Sequence, residues 1–221
     1  MAEVLNKPVT NMDPNSYKIT PKKIFIHLKT ILKHKYYVFI FCCKAGIPWR
    51  GIKHDLSKFS PAEFIPNAKY AEEGISPIDV QKVVIGYASS WFHHKGRNSH
   101  HYEYWIDKLD NGGYITRMPF LDALECICDM LAANRVYKGK TKNEFSNLWN
   151  FWSRKRVGIA MHPDTVQLLS EVFYSIKIFK DHKLNKKVIR SKYNRIIKEN
   201  GNPIQMKLSD VIDTNELQIM P

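Results

Sequence analysis

Trp49-Arg50-Gly51-Ile52-Lys53-His54-Asp55-Leu56-Ser57-Lys58-Phe59-Ser60-Pro61 sets an imidazole beside a carboxylate, with a lysine one helical turn further on. Neighbouring side chains on a helix point about 100° apart, so His54 and Asp55 face a common point only at a kinked or terminal turn. At such a seam both could converge on one divalent transition metal, which accepts nitrogen and oxygen donors alike. Lys58, three residues after Asp55, shares the carboxylate's face and could reach an anion held at that ion. The plainer alternative is a surface His-Asp pair with a flanking salt bridge.

Upstream, Thr20-Pro21 is a good N-cap followed by proline at the first helical position. Ile24, His27, Ile31, His34, Val38 and Phe41 recur at three- and four-residue steps and predict one buried stripe. Gly46 and Pro48 end this helix. His27 and His34 interrupt the stripe about 10.5 Å apart along the axis, too far to share one ion without strain. A histidine on a core face reads first as a hydrogen-bonded core residue.

Downstream, Ser60-Pro61-Ala62-Glu63 and Ser76-Pro77-Ile78-Asp79 each have the form of a capping box, the second opening a helix that runs towards Trp91. Then comes Trp91-Phe92-His93-His94-Lys95-Gly96-Arg97-Asn98-Ser99-His100-His101-Tyr102-Glu103-Tyr104-Trp105, with four of the nine histidines. His93 and His100 are seven apart, as are His94 and His101, but Gly96 and Asn98 argue against an unbroken helix. A helix end, a turn and a helix start would let one histidine of each pair point inward. A surface histidine cluster is the alternative. Trp91, Tyr102 and Trp105 weigh against it, because such rings favour burial.

Asp110-Asn111-Gly112-Gly113 reads as a turn. A helix from about Met118-Pro119 places Asp122, Glu125 and Asp129 on one stripe. Carboxylates in line are costly to bury unpaired, so the stripe is either solvated or faces a cation. Residues 141–156 and a segment opened by His162-Pro163-Asp164 are further helices. Residues 177–198 carry nine lysines and arginines against Asp181 alone and read as an amphipathic basic helix. Its charged face is solvated or meets nucleic acid or another acidic surface.

The 221 residues suit one domain, and 44% hydrophobic with 25% charged residues allows a real core. The segments divide as an N-terminal arm (1–20), a helical core (21–160), C-terminal helices including the basic one (161–200) and a tail (201–221). A formal charge of +13 favours anionic partners. Cys42-Cys43 and Cys126-x-Cys128 lack the spacing of a zinc or redox motif and suit buried thiols in a reducing cytoplasm. Met1 to Thr20 is not a secretory signal, and the longest apolar run, Tyr36 to Cys43, is too short to span a bilayer.

Taken together, the donors form a series: His34, His54-Asp55, a histidine from 93/94, another from 100/101, then Asp129. The series resembles the HD-domain superfamily of all-helical, metal-dependent phosphohydrolases, with His54-Asp55-Leu56-Ser57-Lys58 similar to its HD-x-x-K element. More closely, residues 24–165 resemble a domain-of-unknown-function family. Its lysine-rich helix, HDLSKFSP run, W-x-HH-x-x-RN-x-HH block and acidic helix all appear here, as Lys33-His34-Lys35, His54 to Phe64, Trp91 to His101 and Glu125 to Asp129.

The resemblance implies an all-α, HD-domain-like helical bundle. By that analogy His34, His54, Asp55 and Asp129 hold one ion, Asp55 bridges to a second, and His94 and His101 (or His93 and His100) complete the second site. Mn, Fe, Co, Ni or Zn suits such donors. Lys58 and Arg97 would neutralise phosphate, Asn98 would hydrogen-bond substrate, and Glu63, Glu103 and Glu125 would orient histidines. The expected function is hydrolysis of a nucleotide or other small phosphoester. The alternatives are a di-iron oxygenase on the same scaffold and a nucleic-acid-binding protein that keeps the metal pocket.

Overall fold

The computed structural model describes residues 13–108 and 112–211. Among these the chain is predominantly helical, with nine α-helices and one small sheet. Helix α1 (Pro21–Lys44) is capped by Thr20, whose hydroxyl accepts from the Lys23 amide. His27, Ile31, His34, Val38, Phe41 and Cys42 are its buried residues. Ile24, in the first turn, is exposed.

Proline at the first or second position opens α2 (Pro48–Lys53), α3 (Pro61–Lys69) and α4 (Pro77–Ile85). The predicted helix towards Trp91 is two helices. Gly86 ends α4 in the left-handed region at φ 82°, and α5 (Ser89–Lys95) starts afresh. Glycine tolerates that conformation without a side-chain clash. Neither Ser60 nor Ser76 makes a side-chain cap bond, so the hydroxyl bond of each expected capping box is not formed.

Helix α6 (Phe120–Lys138) lies against α1, and α7 (Glu144–Lys155), α8 (Pro163–Phe179) and α9 (Lys186–Asn200) pack around them. One contiguous core runs through α1, α6, α7, α8 and α9, with Trp152, Phe41 and Phe173 wholly enclosed. The C-terminal helices therefore share the core of the preceding segment. The basic stretch is not one helix. α8 ends at Phe179, a 3-10 turn covers Lys180–Lys183, and α9 begins after Asn185, whose side chain caps it.

Two terminal expectations change. Tyr17 is buried against Tyr70, ring centroids 4.9 Å apart, so the described end of the arm is anchored. In the expected tail, β3 (Gln205–Lys207) joins β1 (Ile106–Asp107) and β2 (Tyr114–Thr116) in an antiparallel sheet of order β1-β2-β3, and Val211 is fully buried. Asp110 and Asn111 of the expected turn lie outside the described residues; Gly112 and Gly113 both have positive φ, 108° and 85°.

Candidate metal centre

The centre begins with a local departure from helix. α2 stops at Lys53, His54 takes φ −52° and ψ 130°, and Asp55 sits in the left-handed region at φ 54°, ψ 31°. A 3-10 turn, Leu56–Phe59, follows. This reversal at the end of a helix brings adjacent side chains to one point, and both His54 and Asp55 are 2% exposed. Aspartate tolerates the left-handed region better than most residues, yet the conformation still carries strain of about 1–2 kcal/mol. Strained backbone persists where surrounding structure over-determines it, as at binding sites.

The two Asp55 oxygens look in different directions. Oδ2 lies 3.1 Å from His54 Nε2 and 3.6 Å from His34 Nε2. Asp129 Oδ1 closes that group, 3.0 Å from His34 Nε2 and 3.4 Å from His54 Nε2. Oδ1 lies 3.3 Å from both His94 Nε2 and His100 Nε2, and His101 joins this second group. Within each group the ligand atoms lie within 4.8 Å of one another. The Nε2 atoms of His34, His54, His100 and His101 are buried and make no hydrogen bond of proper geometry. Buried polar atoms are ordinarily satisfied, so orphaned lone pairs converging beside ionised carboxylates suit cations. These residues fit one or two divalent ions.

Electrostatics agree. Burial opposes ionisation of Asp55, but the charges of His54, Lys58 and His94 overcome it and hold its carboxyl well below the usual range. Asp129 is likewise held down, against burial, by His34 and His54. Burial pushes the His34 imidazole down to about 4, Lys58 adding to the effect. His54 goes the opposite way. Burial disfavours its charged form, but Asp55, Asp129 and Glu125 outweigh that and raise it well above the ordinary value.

The other nitrogens of these rings are anchored. His54 Nδ1 lies 2.8 Å from Glu125 Oε1, and His100 Nδ1 lies 3.4 Å from the same oxygen. Glu63 Oε2 holds His94 Nδ1 at 2.7 Å. Carboxylates in this position fix ring orientation and tautomer, turning Nε2 towards the centre. Two of the three proposed orienting acids thus stand where the sequence suggested. Glu103 is bonded to Tyr102, with no contact to a site histidine among the described residues.

Of the two expected pairings, His94 and His101 share a group, and His100 joins them. His93 turns away, its Nδ1 2.7 Å from Glu63 Oε1 and its Nε2 accepting from Arg97 Nε at 2.7 Å. His27 packs on Phe64, ring centroids 5.0 Å apart, outside both groups. Lys58 Nζ sits 2.6 Å from Asp55 Oδ2. Asn98 donates to the His94 carbonyl at 2.8 Å and to Ser57 Oγ at 3.0 Å, bracing the turn that carries the histidines.

A cleft of about 370 Å³ opens onto His54, Asp55 and His100. Arg50, Lys53 and Arg97 line it together with Glu125, and Asn98 is also in the lining. Arg50 was missed in the sequence. Its Nε donates to Glu125 Oε2 at 2.5 Å and its Nη2 pairs with Asp122, which also accepts from Ser99 Oγ at 2.6 Å. Part of the signal lay in spacing: Asp122 precedes Glu125 by three on α6, so the two carboxylates share a helix face, whereas nothing in the spacing pointed to Arg50 as their partner. Lys35 was missed too; its Nζ donates to the His54 carbonyl at 2.5 Å and ties α1 to the end of α2.

Comparison with curated proteins finds no match, and comparison with solved structures finds none. A family model does match, over residues 23–175, and its range contains every residue of both ligand groups. That match covers more than half of the chain, which therefore belongs to the family of unknown function DUF5662.

Proposed function

We propose that this protein is a metal-dependent phosphohydrolase of the HD type, acting on a nucleotide or other small phosphoester. The observation that carries the reading is the shared carboxylate. Asp55 faces His34, His54 and Asp129 through one oxygen and His94 and His100 through the other, under a cleft lined with cations. His34, His54, Asp55 and Asp129 would hold one ion; Asp55, His94, His100 and His101 would hold the second. Such ions supply Lewis acidity and lower the pKa of water.

The chain's own groups do the rest. Lys53 and Arg97 offset phosphate charge at the cleft, while Arg50 is already paired with Asp122 and Glu125. Lys58 holds Asp55 ionised, and Glu63 and Glu125 hold the rings at the angle at which their Nε2 lone pairs meet. Mn, Fe, Co, Ni and Zn all suit this donor set.

Metal analysis of the purified protein with a phosphatase screen of nucleotides and simple phosphoesters tests the reading. Metal-dependent release of phosphate, lost in Asp55→Ala, is the expected result. A metal-loaded protein inert towards every phosphoester in the screen would count against it. The six-residue series His34, His54, Asp55, His94, His101 and Asp129 also supports a di-iron oxygenase on the same scaffold. Iron content, a mixed-valent signal and oxygen consumption would favour that alternative. A nucleic-acid role for residues 177–198 has less support, because Lys192 and Arg195 are both paired with Glu171 and Arg190 lies over the Phe120 ring.

A further inference from the structure

Helix α1 is apolar on two faces. One is the buried stripe; the other consists of Phe25, Leu32, Tyr36 and Phe39, again at three- to four-residue steps save one gap, and these are 66, 54, 61 and 38% exposed. The outer stripe extends about 21 Å along the axis. α2 continues it. Gly51 packs so closely on α1 that a Cβ there would meet Cys42 Cβ at 2.8 Å and the Phe39 Cα at 3.0 Å. That contact seats α2, whose Ile52 and Trp49 are both exposed, against the C-terminal half of α1. An ordinary solvent-facing helix surface is polar, and contiguous exposed apolar area of this extent marks a binding surface.

The charge on this face identifies what covers it. α1 holds six lysines and no acidic residue, and residues 18–54 contain no Asp or Glu at all. Lys22, Lys29 and Lys33 are exposed alongside the stripe, and among the described residues no carboxylate pairs with them. A second copy of the chain would set two lysine-lined, acid-free faces against each other. Nucleic acid would engage the lysines and leave four large apolar side chains in water. An anionic bilayer surface meets both requirements: lysines take the headgroup phosphates while Phe, Leu and Tyr enter the acyl boundary. Tyr and Trp favour that interface. Among the described residues no helix is long and apolar enough to cross a membrane, so α1 would lie in the plane.

We infer that the outer face of α1, extended by α2, docks this protein on anionic lipid. Trp49 and Lys53, exposed on α2, also line the cleft of the candidate centre, so a membrane bound along α1 and α2 would lie near its mouth. The inference stands on the exposed face alone and does not require the phosphohydrolase reading.

Co-sedimentation with vesicles of phosphatidylcholine, with and without roughly 30 mol % phosphatidylserine, tests it. The full chain should pellet with the anionic vesicles, weakly with the neutral ones, and less as salt rises. Phe25→Ser/Leu32→Ser/Phe39→Ser and Lys22→Glu/Lys29→Glu/Lys33→Glu should each cut partitioning by more than about tenfold. Both should keep the wild-type circular dichroism and melting temperature, since every residue changed is solvent-exposed or at the rim. A control triple on the basic stretch, Lys186→Glu/Lys187→Glu/Lys198→Glu, should retain binding. Absence of pelleting with phosphatidylserine, or pelleting that only the control removes, overturns the inference. So does a concentration-dependent dimer, seen by light scattering and broken by the apolar triple, in a protein that ignores vesicles.

Discussion

Lys58 Nζ lies 2.6 Å from the Asp55 oxygen that also faces His34 and His54. An ammonium and two imidazoles thus attend the same buried lone pairs, where a cation would also bind. Replacing Lys58 with alanine removes the one lysine or arginine paired with Asp55 among the described residues, and breaking a buried ion pair costs about 3 kcal/mol. Metal-free Lys58→Ala should melt roughly 6–12 °C below the metal-free parent. Added Mn or Zn should narrow the gap, because the ion replaces the missing charge. Thermal melts with and without metal decide; identical metal-free melting temperatures would contradict the arrangement.

Asp55→Ala should abolish metal-dependent turnover and metal retention while the helical signal in circular dichroism is largely kept. Among the described residues Asp55 belongs both to the group with His34, His54 and Asp129 and to the group with His94, His100 and His101, so its loss strips a donor from each. Asp55→Asn retains a residue that tolerates φ 54° but presents one oxygen acceptor in place of two. It should bind fewer equivalents of metal than the parent. A full complement of metal in Asp55→Asn would show that the second oxygen is not a ligand.

Glu125 connects Arg50 to two site histidines. Neither Glu125 nor Arg50 needs to touch the ion for its loss to matter. Glu125→Gln and Arg50→Ala should each weaken metal affinity about 10–100-fold, the usual effect of losing an orienting partner. Competition titration against a chromogenic chelator measures it. If Glu125→Gln binds as tightly as the parent, the ring orientation is set elsewhere.

His27 provides a pH test clear of the ligand groups. Both its ring nitrogens are buried without a hydrogen bond, and burial, with Lys58 adding, pushes it down to about 4. Its folded value therefore lies below the unfolded value near 6.5, so the unfolded chain takes up the proton first. Stability from neutral His27 is complete above about pH 6.5 and drains away as pH falls towards 4. His27→Leu should gain on the parent steadily across that interval, read as the difference in melting temperature. A difference that does not change with pH would refute the assignment.

Gly51→Ala checks the seat of α2. With Cys42 Cβ at 2.8 Å and the Phe39 backbone at 3.0 Å from the added methyl, α2 has to shift, at a cost of about 1–3 kcal/mol. Because His54 caps that helix, metal affinity should fall with stability. Unchanged values of both would mean that α1 and α2 separate freely.

How much could be read from sequence differs between the two halves of the centre. His34 and Asp129 lie on long, regular helices where spacing gives the face but not the partner; the resemblance grouped them with His54 and Asp55, and the ligand atoms of the four lie within 4.8 Å of one another. The second half rests on the turn Gly96–His101, which has no repeat, so spacing could not tell which rings point inward. His100 and His101 are adjacent and both enter the same group, an outcome the seven-residue pairing did not anticipate. Ser60-x-x-Glu63 has the local form of a cap, but the Glu63 carboxylate is buried between His93 and His94 and bonds both rings instead.

The amino-acid sequence by itself determined where helices begin and which side chains carry ligand chemistry. Thr20-Pro21 and Ser60-Pro61 act through local backbone geometry, and the imidazole and carboxylate types are written in the chain. Tertiary structure alone decided which of those groups share a point. Glu125 reaches His54 across 71 residues and Arg50 across 75, distances over which no periodicity operates. Packing of α6 and α2 on α1 closes them, because burying the apolar residues of these helices brings His34, His54, Glu125 and Asp129 to one place.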